Sequence, residues 1–190
     1  MLRRFSGKSN NYPQRKMTKY TKTAMFFHWI IALLIIVSFC LAVTMVNIHG
    51  ITPTKLKYFS WHKWLGVTIF GLACLRLVWR LFNSAPPYNA AMPNWQKHAA
   101  SGLHWFLYVL ILAIPISGYL YSMAAGIPVI YLGLFPMPIV MDPNPELKPV
   151  LKEIHFYLNM TLLACFILHV LAALKHQFVD RDQTINRMLP

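Results

Sequence analysis

Four long apolar runs, at approximately residues 25–46, 59–81, 102–123 and 154–175, constrain this chain more than any other feature. Each is long enough to cross a bilayer core of about 30 Å as a helix, and none contains Asp or Glu. A spanning segment must satisfy its backbone hydrogen bonds internally, so the expected fold is an all-α membrane protein, a four-transmembrane-helix bundle. With 57% hydrophobic and 12% charged residues, the chain is too apolar for an ordinary soluble domain. The first run is too long for a signal-peptide h-region and is followed by no clear small-residue cleavage site, so it is expected to remain as a helix.

Charge gives the orientation. Thirteen of the eighteen Lys and Arg residues fall on one side of the expected membrane: seven in the N-terminal tail, then Arg76, Arg80, Lys97, Lys175, Arg181 and Arg187. The other side holds Lys55, Lys57, Lys63, Lys148 and Lys152. The positive-inside rule then places both termini in the cytoplasm. Arg76 and Arg80 are expected to snorkel to the cytoplasmic headgroups. The net charge of +13 is accounted for by this topology and calls for no nucleic acid. Two regions are expected: a basic tail over 1–22, near anionic lipid, and a helical domain over 23–190.

The connections are marked by turn residues. A loop over 47–58 contains His49, Gly50 and Pro53, and a second over 82–100 contains Pro86, Pro87 and Pro93. The longest, 124–153, holds an apolar stretch at 127–141 that is too short and proline-rich to span and is expected to cap the outer mouth of the bundle. Pro115 predicts a kink in the third helix. Cys40, Cys74 and Cys165 lie in three different apolar runs and are expected to be buried in packing. No C-x-x-C-H or Cys-rich metal motif occurs.

Histidines carry the chemistry. His155 and His169 are fourteen residues apart, which at about 100° per residue returns the second ring to within roughly 40° of the first. The same spacing separates them by about 21 Å along the helix, so one lies near each membrane surface. Such rings either hydrogen-bond a neighbouring helix or ligate a cofactor. Sorting by depth pairs His28 with His169 on the inner side and His62 with His155 on the outer side, with His104 competing for the inner pair. Two imidazoles from facing helices suit the two axial positions of a haem. Gly66, one turn beyond His62, either clears space beside that ring or allows close helix approach. His98 and His104, six residues apart, cannot both face the interior.

Several fragments occur in a specific order: F-H-W at 27–29, W-H-K-W-L-G at 61–66, L-R-L-V-W-R at 75–80, H-W-F-L-Y-V-L at 104–110, I-P-I-S-G-Y at 114–119, E-I-H at 153–155 and L-H-V-L-A-A-L-K-H at 168–176. In that order they make the chain resemble, from Tyr20 to Pro190, the bacterial cytochrome b561 family of small four-helix inner-membrane proteins. The resemblance implies two haem b groups, with iron held axially by His28 and His169 and by His62 and His155. It also implies electron exchange between the quinone pool, ubiquinone for instance, and an extracytoplasmic donor or acceptor. Oxidation of superoxide to oxygen with quinone reduction is one activity of the family; Lys55, Lys57, Lys63, Lys148 and Lys152 beside the outer pair either steer such a small anion or are scattered, solvated loop residues. His98, His104 and Arg80 are candidates for quinone contact by position.

Two other functions fit some of these features. The chain could be a cytochrome b electron-transfer subunit of a dehydrogenase or hydrogenase. It could also be a metal-ion transporter with histidine sites, although the absence of intramembrane carboxylates weakens that reading.

Overall fold

The computed structural model describes residues 19–88 and 92–189, so most of the 1–22 tail lies outside the described residues. Four long helices dominate: α1 Lys22–Asn47, α2 Pro53–Phe82, α3 Asn94–Ala124 and α4 Leu147–Phe178. All four are long and apolar enough to cross a membrane. Large apolar side chains such as Phe26, Leu33, Leu75, Val109 and Leu171 point outward, as expected of surfaces that meet acyl chains rather than water.

The helices extend beyond the apolar runs. Residues 53–58, 94–101 and 147–153, read from sequence as connections, are helical. Hydropathy detects only the segment that hydrocarbon surrounds, whereas the helix continues into the interface wherever its backbone is capped. At α2, Thr52 accepts a hydrogen bond from the Lys55 amide and Pro53 occupies the first turn, where its missing N–H costs nothing. The connections shorten accordingly, to 48–52 and 83–93. α3 continues through Pro115 as one helix.

The loop after α3 is more ordered than expected. Its β1 (Ile130–Tyr131) and β2 (Phe135–Pro136) form a small antiparallel hairpin. The turn places Leu132 and Gly133 both at positive φ, the pattern of a type I′ connection. The hairpin is tied to α2 by Trp64 Nε1 donating to the Ile130 carbonyl (2.7 Å) and by Thr68 Oγ1 near Tyr131 Oη (2.9 Å). The Tyr119 hydroxyl on α3 donates to the Pro138 carbonyl.

At the opposite end, residues 180–189 fold back as a hook around a short 3₁₀ turn, Ile185–Arg187. Trp29 Nε1 donates to the Met188 carbonyl (2.8 Å), Tyr20 N to the Arg187 carbonyl (3.1 Å), and Arg187 Nη2 to the Pro87 carbonyl (2.8 Å). The start of α1, the α2–α3 loop and the chain end are thereby laced together.

Helix packing is sequential: α1 lies on α2, α2 on α3 and α3 on α4. No Cα of α4 comes within 8 Å of one in α1 or α2. Helices packed directly have axes about 8–10 Å apart, so α4 stands off from the α1–α2 pair across a slot. The expectation of buried cysteines fails: Cys40 is exposed, and Cys74 and Cys165 are only half-buried. In a bundle this thin, most helix positions face lipid.

Candidate functional site

The slot between α4 and the α1–α2 pair is bridged by two pairs of histidines, the same pairs that depth predicted. The ring centroids of His28 and His169 are 6.3 Å apart, and those of His62 and His155 are also 6.3 Å apart. An imidazole nitrogen binds a transition metal at about 2 Å and lies about 1.2 Å from its own ring centre. Two imidazoles on opposite sides of one metal therefore have centroids roughly 6.3 Å apart. Both pairs show that separation without direct packing of the helices that carry them. A planar macrocycle with one axial position on each face fits such a slot.

The hydrogen bonds around His62 and His155 settle which ring nitrogen is available. His62 Nδ1 lies 3.2 Å from the Ser38 carbonyl oxygen, and His155 Nδ1 lies 3.2 Å from that of Ile114. A carbonyl only accepts, so each Nδ1 carries the proton and donates, leaving the Nε2 lone pair free for a ligand. The hydroxyls of Ser38 (3.1 Å) and Ser117 (3.0 Å) flank the same nitrogens. At His155 the backbone comes so close that a Cβ on Gly118 would stand 2.8 Å from the ring's Cε1. Gly66 differs: a Cβ there would meet nothing within 4 Å, which favours the clearance reading over close helix approach.

The other pair is built differently. His28 Nδ1 lies 3.2 Å from Nη2 of Arg76, a group that only donates, so here Nδ1 accepts. Arg76 also places its guanidinium carbon 5.3 Å from the centre of the Tyr108 ring. The expectation that Arg76 snorkels to the headgroups is thus corrected. Fourteen residues after His62, it sits on the same face of α2 and turns into the bundle. That spacing, equal to the one separating His155 from His169, was the signal in the sequence that could have found it. The partners Ser38, Ser117 and Ile114 left no such signal.

His104 approaches His169 with a centroid separation of 5.4 Å, closer than two rings on opposite sides of one metal would stand. It lies instead at the edge of a cavity of about 450 Å³ whose lining includes Tyr20, Arg80, Tyr88, Ser101 and Trp105. Burial holds the Tyr88 phenol above the ordinary tyrosine range, so it remains a neutral donor. Of the positional candidates for quinone contact, Arg80 and His104 line this cavity, whereas His98 is exposed on α3 and does not. His49 is likewise exposed. Among the described residues no group of three or more His, Cys, Asp or Glu side chains could hold a metal ion.

Comparison with known proteins adds an independent line. A family profile described as prokaryotic cytochrome b561 matches residues 19–190. Among similar proteins, cytochrome b561 homolog 2 of Escherichia coli K12 is 32% identical over 94% of this chain and 93% of its own length. Cytochrome b561 homolog 1 of the same organism is 30% identical over 92% of this chain and 98% of its own. A Yersinia pestis protein named probable superoxide oxidase CybB is 30% identical over 90% of this chain and 96% of its own.

Proposed function

The chain belongs to the prokaryotic cytochrome b561 family of haem b membrane cytochromes, and from that premise we propose that it is a di-haem electron carrier between the quinone pool and an extracytoplasmic redox partner. The observation that carries the reading is the pair of 6.3 Å histidine separations across a slot where the helices do not pack. His28 and His169 would hold one haem, and His62 and His155 the other. Haem b, when bound, supplies one-electron oxidation and reduction. The protein supplies the rest.

His62 and His155 are fixed in tautomer and orientation by Ser38 and Ile114, so their Nε2 atoms need no reorganisation to serve as ligands. Both termini are cytoplasmic in this reading, and the membrane is the bacterial inner membrane. The His62–His155 end then faces outward and the His28–His169 end inward.

Superoxide is the donor that fits best. Two superoxide ions each give up one electron to become oxygen, and one ubiquinone takes up those two electrons and two protons to become ubiquinol. At the outward end lie Lys55, Lys57, Lys63, Lys148 and Lys152. Two of these are engaged locally: Lys55 Nζ donates to the Ile48 carbonyl (2.8 Å) and Lys57 Nζ lies 4.8 Å from the Trp61 ring centre. Neither contact cancels a charge, and the five lysines still outnumber Asp142, Glu146 and Glu153 at the same end, so a weak net positive field favouring a small anion remains. At the inward end the cavity beside His104 suits the quinone ring, with the Arg80 guanidinium and the Tyr88 hydroxyl as donors to its carbonyl oxygens.

A reduced-minus-oxidised spectrum with haem quantified per chain tests the reading. Low-spin b-type bands and two haems per chain are expected; folded protein without haem overturns it. Superoxide-dependent ubiquinone reduction by the purified chain then tests the donor. Activity recovered only with an added dehydrogenase or hydrogenase would make the chain an electron-transfer subunit instead.

A further inference from the structure

Among the described residues, Arg76 is an intramembrane cation with no carboxylate beside it. The chain has only five acidic residues, Asp142, Glu146, Glu153, Asp180 and Asp182, all described and all outside the apolar runs. Among the described residues, their contacts with basic side chains are those of Lys175 and His176 with Asp180, and of His176 with Asp182. No side-chain carboxylate lies within 4.0 Å of Arg76, whose partners include the His28 imidazole and the ring and hydroxyl of Tyr108, none of them an anion. A guanidinium held in the interior of a membrane bundle is costly unless a counter-ion reaches it.

The contact with His28 is also incompatible with the role proposed for that ring. While Nδ1 accepts from Arg76, the proton of the neutral imidazole sits on Nε2, and no lone pair is available there. His62 and His155 show the opposite and productive arrangement. Something must draw the guanidinium away from His28 when this site is filled. Haem b brings the missing group itself, since its two propionate carboxylates are anions that must be partnered if they are to sit in the bundle. A carboxylate binds guanidinium through charge-assisted, often bidentate hydrogen bonds, roughly twice as strong as those to a neutral acceptor.

We propose that Arg76 is the anchor for a carboxylate of the haem at the His28–His169 site, holding His28 only until that carboxylate displaces the ring. The exchange moves no electron and changes no net charge: the guanidinium trades an imidazole for a carboxylate, and the His28 proton passes from Nε2 to Nδ1. Arg76 is therefore a positioning residue that couples haem capture to release of the ligand. This rests on the bis-histidine reading above.

The test compares haem b with its dimethyl ester, which lacks the carboxylate charges. Both are titrated into haem-free full-length protein carrying His155→Ala, which leaves only the His28–His169 site; His62→Ala serves if that variant does not fold. With Arg76 present, haem b should bind at least about tenfold tighter than the ester. Arg76→Met should weaken haem b by about tenfold, leave the ester nearly unchanged and so abolish the preference, while Arg76→Lys should retain most of it. In the complementary His169→Ala protein, Arg76→Met should not alter the preference of the remaining site. Equal affinity for acid and ester with Arg76 present, or a preference that survives Arg76→Met, overturns the proposal. If the His155→Ala and His62→Ala proteins are folded and bind neither compound, the ligand assignment has failed, and the anchor falls with it.

Discussion

The ring centroid of His62 lies 6.3 Å from that of His155, although no Cα of α2 comes within 8 Å of one in α4. Side chains alone close that gap, so removing either ring should empty one site without collapsing the helix packing around it. His62→Ala and His155→Ala should each halve the b-type absorbance per chain. His28→Ala and His169→Ala should halve it as well, and one variant from each pair together should abolish it. Haem quantified per folded chain checks this; a single substitution that removes both haems would contradict two independent sites.

Gly118 provides a steric test. A methyl group there would stand 2.8 Å from His155 Cε1 and 3.2 Å from its Nδ1, on a ring already tied to the Ile114 carbonyl. Overpacking of this kind costs about 1–3 kcal/mol. Gly118→Ala should shift His155, lower haem occupancy of the His62–His155 site and broaden its absorption band. Gly66→Ala, where a Cβ meets nothing within 4 Å, should leave the haem-free protein's stability unchanged within about 0.5 kcal/mol. Thermal unfolding and haem content of the two variants separate the cases.

Much of this arrangement was legible in the sequence, and what was not has identifiable causes. The four helices follow from apolar runs, and both histidine pairs follow from depth, because a bilayer fixes where along a helix a polar side chain sits. Helix ends were misplaced because hydropathy is blind to helix that continues outside the hydrocarbon, as at Pro53, Asn94 and Leu147. Arg76 was misread because snorkelling assumes a lipid-facing position; its fourteen-residue spacing from His62 argued for the interior. The tautomers of His62 and His155 depend on carbonyls of Ser38 and Ile114, and no residue pattern announces a carbonyl.

Ser38 and Ser117 should matter less than the histidines they flank. Each hydroxyl lies about 3 Å from an Nδ1 that also has a backbone carbonyl to donate to. Ser38→Ala or Ser117→Ala therefore removes one of two partners and should cost about 0.5–1.5 kcal/mol of haem affinity, a change of roughly tenfold or less. Both variants should keep two haems at saturating haem. A loss of the site comparable to His155→Ala would mean that the hydroxyl, not the carbonyl, fixes the tautomer.

If superoxide is drawn in by the lysines around the His62–His155 end, the second-order rate of ubiquinone reduction should fall as ionic strength rises, because screening shortens the reach of the field to about 8 Å at physiological salt. Replacing Lys63, Lys148 and Lys152 together with Gln should flatten the salt dependence and slow the reaction several-fold at low salt, while two haems remain bound. A rate independent of salt would remove steering from the mechanism.

The C-terminal hook gives a pH prediction. Asp180 accepts a hydrogen bond from Lys175 at 2.6 Å, and that bond, with the nearby charge of Lys175 and His176, holds its carboxyl below the usual 3.8. A depressed carboxylate contributes its stabilisation in full above the unfolded value and loses it as pH falls through the folded one. The contribution of so exposed a pair is small, and Asp180 should therefore loosen the hook only in acid below the usual carboxylate range. Trp29 donates to the Met188 carbonyl at 2.8 Å, and the part of the six-tryptophan emission that Trp29→Phe removes reports on closure. Asp182 ties the hook together more firmly, since it accepts from both the amide (3.0 Å) and the hydroxyl (2.6 Å) of Thr184 and lies 3.0 Å from His176 Nδ1. Asp182→Ala should weaken the hook by about 1 kcal/mol at neutral pH, whereas Asp180→Asn should leave the Trp29 signal near that of the parent. A Trp29 emission that changes across the neutral range would show that a group other than these two carboxylates controls the hook.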